Sequence, residues 1–251
     1  KKNKLLNLIT LKNYNYDSIK KKNYNLIINS EINNQITKKF FQKKIEKNYG
    51  SFAHTAIINH TKIINNIATQ IFTSNGPLAF LPLSNNQTSI VFSNKSSRLI
   101  DKKKLLMTIN RYNNKYKISK ISEVESFNIK FSVLRNYVYK NILSFGDLIH
   151  KVHPLAGQGF NMTIRDIKIF LEIIENNLSL GLPLDNSILK NFEIKTKHLN
   201  YIFSNGIDFI HEFFKFKSFG DLQINILKRF ENNKLFKKHV IRIADKGFDN
   251  Y

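Results

Sequence analysis

The 251-residue chain has no cysteine and no tryptophan, four prolines, nine glycines and few acids. Without cysteine there are no disulfides, thiolate metal sites or cysteine nucleophiles, and the composition suits a reducing compartment. No run of about eighteen apolar residues offers a membrane span, and no apolar signal segment opens the sequence. Acids number 18 against 40 lysines and arginines, for a net charge of +22. A charge of that sign invites a nucleic-acid or anionic-membrane reading. Only six of those forty cations are arginines, Arg98, Arg111, Arg135, Arg165, Arg229 and Arg242. Base readout and bidentate phosphate recognition favour arginine. The lysines lie in short clusters among asparagine and isoleucine. They read as a solvated surface, and nucleic acid is not an expected partner. No Walker loop, nucleophile elbow or internal repeat is present. The Gly-rich dinucleotide fingerprint G-x-G-x-x-G occurs nowhere.

The chain is long enough for a sizeable core in one or two domains. Residues 5–11 and 24–29 are predicted strands, and residues 37–49 a short basic helix or loop. From Gly50 to Phe92 the pattern is β, with strands at 52–60, 62–73, 78–83 and 88–92 and turns at Asn75-Gly76-Pro77 and Ser84-Asn85-Asn86. Ile63, Ile64, Ile67 and Ile71 also fit a helix. Residues 101–116 place Leu105, Leu106, Ile109 and Tyr112 on one helical face. Residues 124–139 alternate as a strand through Phe127, Ile129, Phe131 and Val133. Residues 186–251 are helical and aromatic, with Tyr201, Phe203, Phe209, Phe213, Phe214, Phe216 and Phe219 crowded together. They are either an ordinary helical core or a surface that meets a membrane or partner.

Three of the nine glycines fall in one stretch, residues 145–161. Before it, residues 139–143 read as a buried strand. After it, Phe160, Ile164, Ile167, Leu171, Ile174 and Leu178 recur at helical spacing. The unit is therefore strand, glycine-bearing loop, helix. A helix start exposes unpaired N–H groups with about half a positive charge, and Gly157 and Gly159 permit close approach to them. Asp147 is placed to accept hydrogen bonds from hydroxyls. The residues themselves leave two readings open: a ligand-binding loop or a bare turn. His150 and His153 are three apart in a loop, and no further His, Asp or Glu nearby completes a metal set, so no metal is expected. His54, His60, His198, His211 and His239 are scattered and read as structural or exposed.

Gly146-Asp147, His150, His153-Pro154, Ala156-Gly157-Gln158-Gly159, Asn161 and Arg165-Asp166 fill every fixed position of G-D-x-x-H-x-x-H-P-x-A-G-Q-G-x-N-x-x-x-R-D. That motif resembles the second flavin motif of the FAD-dependent aromatic hydroxylases, in their ubiquinone-biosynthesis branch. Upstream, Gly76-Pro77-Leu78-Ala79-Phe80-Leu81-Pro82 is similar to that branch's G-P-x-A-x-L-P strand pair. Two features depart from the family. The fingerprint is missing, and Glu31-Ile32 stand where the family has an Asp-Gly pair.

The resemblance implies an α/β fold: a partial FAD-binding domain, an inserted mixed or antiparallel substrate-domain sheet, and C-terminal helices. The implied domains are 1–39, remnant strands of the flavin domain; 40–140, the substrate sheet; 141–180, the second flavin motif; and 181–251, the helical region. The implied cofactor is FAD, held by Asp147 at the ribitol, by Pro154 beside the ring, by backbone N–H groups of Gly157, Gln158 and Gly159, and by Asn161. No catalytic acid or base is assigned. The implied activity is monooxygenation of the aromatic ring of a polyprenylated phenol in ubiquinone biosynthesis. Its partners are that substrate, molecular oxygen, a reduced nicotinamide or other electron donor, and an N-terminal half or other biosynthesis proteins. The expected location is cytoplasmic and peripheral at the inner membrane, with docking through residues 201–219. The rival readings are a non-catalytic remnant or half of a split enzyme acting as an interaction module, and a basic RNA- or membrane-surface-binding protein.

Overall fold

The computed structural model describes residues 24–94, 99–154 and 157–215, together with isolated residues 16–17, 225, 233 and 238. The expected strand at 5–11, Leu155 and Ala156 of the motif, and Phe216 and Phe219 lie outside these residues. The fold is α/β, with two sheets. Strand β1 (Ile27–Asn29) pairs parallel with β9 (Ile142–Ser144), and β8 (Val138–Tyr139) pairs antiparallel with β9. The single strand expected at 139–143 is thus the tip of a hairpin, turned at Lys140 with φ 52°. Helix α1 (Gln35–Phe40) follows β1, and the Asn34 side chain caps it by accepting from Thr37 N at 2.8 Å.

The larger, seven-stranded sheet is antiparallel throughout. It contains β2 (Lys44–His60), β3 (Thr69–Thr73), β4 (Gly76–Ser84), β5 (Gln87–Asn94), β6 (Ile118–Ile121), β7 (Glu125–Leu134) and β10 (His150–Lys151). β2 is its spine, pairing with β5, β6 and β7. The expected helix or loop over 37–49 is corrected: α1 ends at Phe40 and β2 starts at Lys44. The sequence hid this because Gly50 falls inside the strand. It adopts φ 62° at a register shift between Asn48 and Ser51, where the extra residues of a bulge take up the turn. The expected strand at 62–73 begins only at Thr69, the strand at 124–139 ends at Leu134, and β6 went unread.

Alternation with period two gives the sheet two faces. Ala56, Ile58, Ile90 and Phe92 point to one, where Leu105 and Ile109 of helix α2 (Lys102–Tyr112) cover them. Burying each such side chain stabilises by about 1.5–3 kcal/mol. Ala53, Thr55, Val91 and Phe127 point to the other face, which the glycine-bearing loop crosses.

Helix α3 (Gln158–Ser179) and helix α4 (Asn186–Lys215) pack against the small sheet through Phe170, Ile173, Ile188, Leu189 and Phe192. Of the apolar stripe from Phe160 to Leu178, only Ile174 packs against that core. Phe160, Ile164, Ile167, Leu171 and Leu178 are exposed, while Met162, Asp166, Phe170 and Ile173 are buried. Two stripes of similar spacing compete on this helix. The buried one carries Asp166, which has partners on two other elements.

Candidate functional site

The strand end at β9 leads into a short 3-10 turn, Gly146–Leu148, opened by Gly146 at φ 64°. The turn brings Asp147 to the wall of a cavity of about 620 Å³ between the loop and the sheet. The same wall carries Pro154, Gly157 and Gly159, with Ala53, Thr55, Val91 and Phe127 opposite. Gly157 sits at φ 66° immediately before α3, and no side chain caps the helix there. A left-handed residue at that point turns the chain sharply into the helix, so the first N–H groups stand at the loop's end without a capping oxygen. Gln158 and Asn161 are half-buried and lie off the cavity wall. Among the described residues, the buried side-chain oxygen of Gln158 has no hydrogen-bond partner.

The two motif histidines have different surroundings. His150 Nε2 lies 2.8 Å from Asp166 Oδ2, with both side chains essentially inaccessible. A carboxylate only accepts, so Nε2 donates. Asn200 Nδ2 donates to both Asp166 oxygens, at 3.0 and 3.2 Å. His150, Asp166 and Asn200 therefore clasp the loop, α3 and α4 together. The adjacent Arg165 lies over the Phe203 ring, 4.1 Å from its centroid. The Arg-Asp pair that closes the motif is thus a fastening of the helices rather than part of the cavity wall.

His153 is buried on the cavity wall, stacked on His211 at 4.2 Å and edge-on to Tyr49 at 5.5 Å. Burial, reinforced by His211, lowers its pKa to about 3, so the ring is neutral near pH 7. Neither ring nitrogen has a partner among the described residues. Behind it, Tyr49 donates to Asp208 at 2.6 Å, and the Lys47 ammonium reaches Asp208 at 3.1 Å and Glu212 at 3.0 Å. Asp166 thus meets His150, and His211 meets His153. Asp208, His211 and Glu212 also bring one ligand atom each within 4.8 Å of one another, with Lys47 bonded to both carboxylates.

No family model matches the chain. The Escherichia coli K12 protein 3-demethoxyubiquinol 3-hydroxylase is 29% identical over 149 residues, covering 57% of this chain and 38% of that protein. A mitochondrial ubiquinone biosynthesis monooxygenase of Dictyostelium discoideum is 34% identical over 95 residues, covering 38% of this chain and 19% of its own length. Over part of its length the chain is similar to hydroxylases and monooxygenases of ubiquinone biosynthesis. It spans well under half the length of these two proteins.

Solved structures agree on the fold. An HpxO variant of Klebsiella pneumoniae complexed with FAD aligns with a TM-score of 0.69 at 11% identity, over 88% of this chain and 61% of that one. The Pseudomonas aeruginosa protein pqsL, named a probable FAD-dependent monooxygenase, aligns with a TM-score of 0.63 at 16% identity, over 80% of this chain and 59% of that one.

The residues present fit the ring and ribitol side of a flavin. The uncapped helix start, Gly157 in a conformation that disfavours side chains, and the unpartnered nitrogens of His153 all present polar groups without an internal partner. The pyrophosphate side has no such fit. Glu31 and Ile32 lie in the turn before α1, and the Glu31 carbonyl accepts from Thr37 Oγ1 at 2.6 Å. Asn34 and Thr37 side chains bond Asn29, so this corner is tied up internally.

Sequence reasoning missed His211, Asp166, Asn200 and Tyr49. Asp166 stood inside the motif and was legible as a candidate. Asn200, thirty-four residues on, had no local signal.

Proposed function

We propose that the chain supplies the ring-binding loop and the substrate-facing sheet of an FAD-dependent monooxygenase that hydroxylates a polyprenylated phenol in ubiquinone biosynthesis. The cavity between the glycine-bearing loop and the sheet carries this reading. When bound, FAD supplies the redox and oxygen-transfer chemistry, fed by molecular oxygen and by reduced nicotinamide or another donor. Asp147 accepts hydrogen bonds from ribitol hydroxyls. The N–H groups at the start of α3, around Gly157, Gln158 and Gly159, face the electron-rich edge of the ring and stabilise negative charge there. Pro154 stiffens the loop beside the ring, and Asn161 braces the loop's end from the first turn of α3.

Across the cavity, Ala53, Val91 and Phe127 offer an apolar wall for an aromatic substrate, and Thr55 a hydroxyl to orient it. His153, neutral and unpartnered among the described residues, is positioned to exchange a hydrogen bond with the phenol hydroxyl. Hydroxylation takes place with the protein peripheral at the cytoplasmic face of the inner membrane. The remnant reading keeps a specific observation in its favour, the occupied corner around Glu31.

The test is turnover at saturating flavin. The chain, FAD, reduced nicotinamide and a short-chain prenyl phenol are incubated in air, and ring-hydroxylated product is sought by mass spectrometry. Product that disappears with Thr55→Trp, which fills the cavity, supports the proposal. Flavin that binds without product formation, or no flavin binding, supports the remnant.

A further inference from the structure

A second depression lies at the other end of the β2–β7 pairing from the cavity. It is a groove of about 860 Å³ between the Ile45–Val133 pairing of β2 and β7 and one face of α4. It shares no lining residue with the cavity above. Along β2, Ile45 is eight residues from Ala53, which is about 25 Å of strand.

The groove is apolar below and cationic at its rim. Ile45, Val133, Ile194 and Tyr201 line it. Ile194, on α4, is 78% exposed. Arg135 and Lys190 stand at the edge with no ion-pair partner among the described residues. The one acid in the lining, Glu193, is already engaged. It accepts from the Tyr137 N–H at 2.9 Å and lies 3.4 Å from Lys197 Nζ. The groove therefore keeps uncompensated positive charge above an apolar floor.

We propose that this groove seats one anionic phospholipid of a membrane surface, its phosphate on Arg135 and Lys190 and its acyl chain along Ile45, Val133, Ile194 and Tyr201. The volume lies within the range of ligand-binding pockets. An arginine fork beside a lysine suits a phosphate diester, and each cation adds attraction at an anionic surface. The adjoining exposed residues of α4, Tyr201 and Ile202, lie where an interfacial aromatic and aliphatic side chain would enter the headgroup layer. Among the described residues no helix is long and apolar enough to cross a membrane, so contact through this groove is peripheral.

The experiment is vesicle cosedimentation of the chain in 0.5 M salt, where diffuse attraction is screened within about 4 Å. Vesicles are pure phosphatidylcholine, or phosphatidylcholine with phosphatidylglycerol. The proposal expects binding only to the second. It expects a loss of about tenfold, ~1.4 kcal/mol, for Arg135→Gln/Lys190→Gln and again for Ile194→Asp. The charge-matched control Lys103→Gln/Lys120→Gln, on the far surface, should stay within about twofold. Melting curves confirm folding; should Ile194→Asp fail to fold, the glutamine pair carries the test. Equal losses in the control pair would show diffuse charge alone and overturn the proposal. So would equal binding to neutral vesicles. Full displacement by millimolar inorganic phosphate, with no effect of Ile194→Asp, would assign the cations to free phosphate and overturn the lipid.

Discussion

Replacing Asp166 by alanine removes the acceptor that three elements share. In the folded protein its carboxylate takes a hydrogen bond from His150 at 2.8 Å and two contacts from Asn200 at 3.0 and 3.2 Å, all out of water. Alanine leaves two buried donors without partners, at roughly 1–3 kcal/mol each, and adds a small cavity. The expected loss is about 3–5 kcal/mol, in line with breaking buried charged networks. For a chain of this size that lowers Tm by about 6–20 °C. Urea unfolding followed by tyrosine fluorescence and far-UV circular dichroism reads it directly. Asp166→Asn keeps one acceptor and should cost less. A cycle with His150→Phe should give a coupling of about 0.5–3 kcal/mol, because both changes remove the same bond. A loss below about 1 kcal/mol for Asp166→Ala, or strict additivity with His150→Phe, would refute the clasp.

Glycine substitutions should separate steric from conformational cost. A Cβ at Gly76 would lie 1.8 Å from the Ser93 carbonyl oxygen at φ 132°, so Gly76→Ala should fail to give soluble folded protein, whereas Gly157→Ala meets nothing within 4 Å and should cost about 1–2 kcal/mol in urea unfolding. His153, held below its ordinary pKa by burial and then by His211, takes up a proton more readily when unfolded. The His153 contribution should therefore be full above about pH 6.5 and fall as pH drops toward about 3, with a slope of up to about 1.4 kcal/mol per pH unit that His153→Phe removes from urea midpoints. Without the fingerprint, FAD forfeits two or three charge-assisted hydrogen bonds at roughly 1.5–3 kcal/mol each. Fluorescence titration should accordingly find riboflavin and FAD binding this chain with similar weak affinity; sub-micromolar FAD binding would contradict the pyrophosphate side drawn above.

The sequence carried the loop better than its fastenings. Gly146 and Gly157 meet left-handed backbone needs that other residues meet less cheaply, so the turn into α3 was legible from spacing. The alternation through Phe127, Ile129, Phe131 and Val133 likewise placed β7, and the Gly76-Pro77 corner placed the β3–β4 hairpin. What escaped was whatever depended on distant partners. Gly50 looked like the start of β structure because a bulge conformation inside a long strand has no signature apart from its pairing with β7. The α3 stripe from Phe160 to Leu178 had the right period, yet most of it lies exposed. Periodicity reports that a face is apolar, and only the bonds from His150 and Asn200 to Asp166 decide which face turns inward. The His153–His211 stack joins two residues 58 positions apart, and nothing local to either one marks it.

The central claim is that the cavity under the glycine-bearing loop receives the flavin ring. Backbone amide chemical shifts of the labelled chain, recorded while riboflavin is added, test it most directly. The account predicts saturable shifts at Gly157, Gln158 and Gly159, matched across the cavity by Ala53, Thr55 and Phe127, and their loss in Thr55→Trp. Shifts confined to the groove at Arg135 and Lys190, or none at the start of α3, would contradict it.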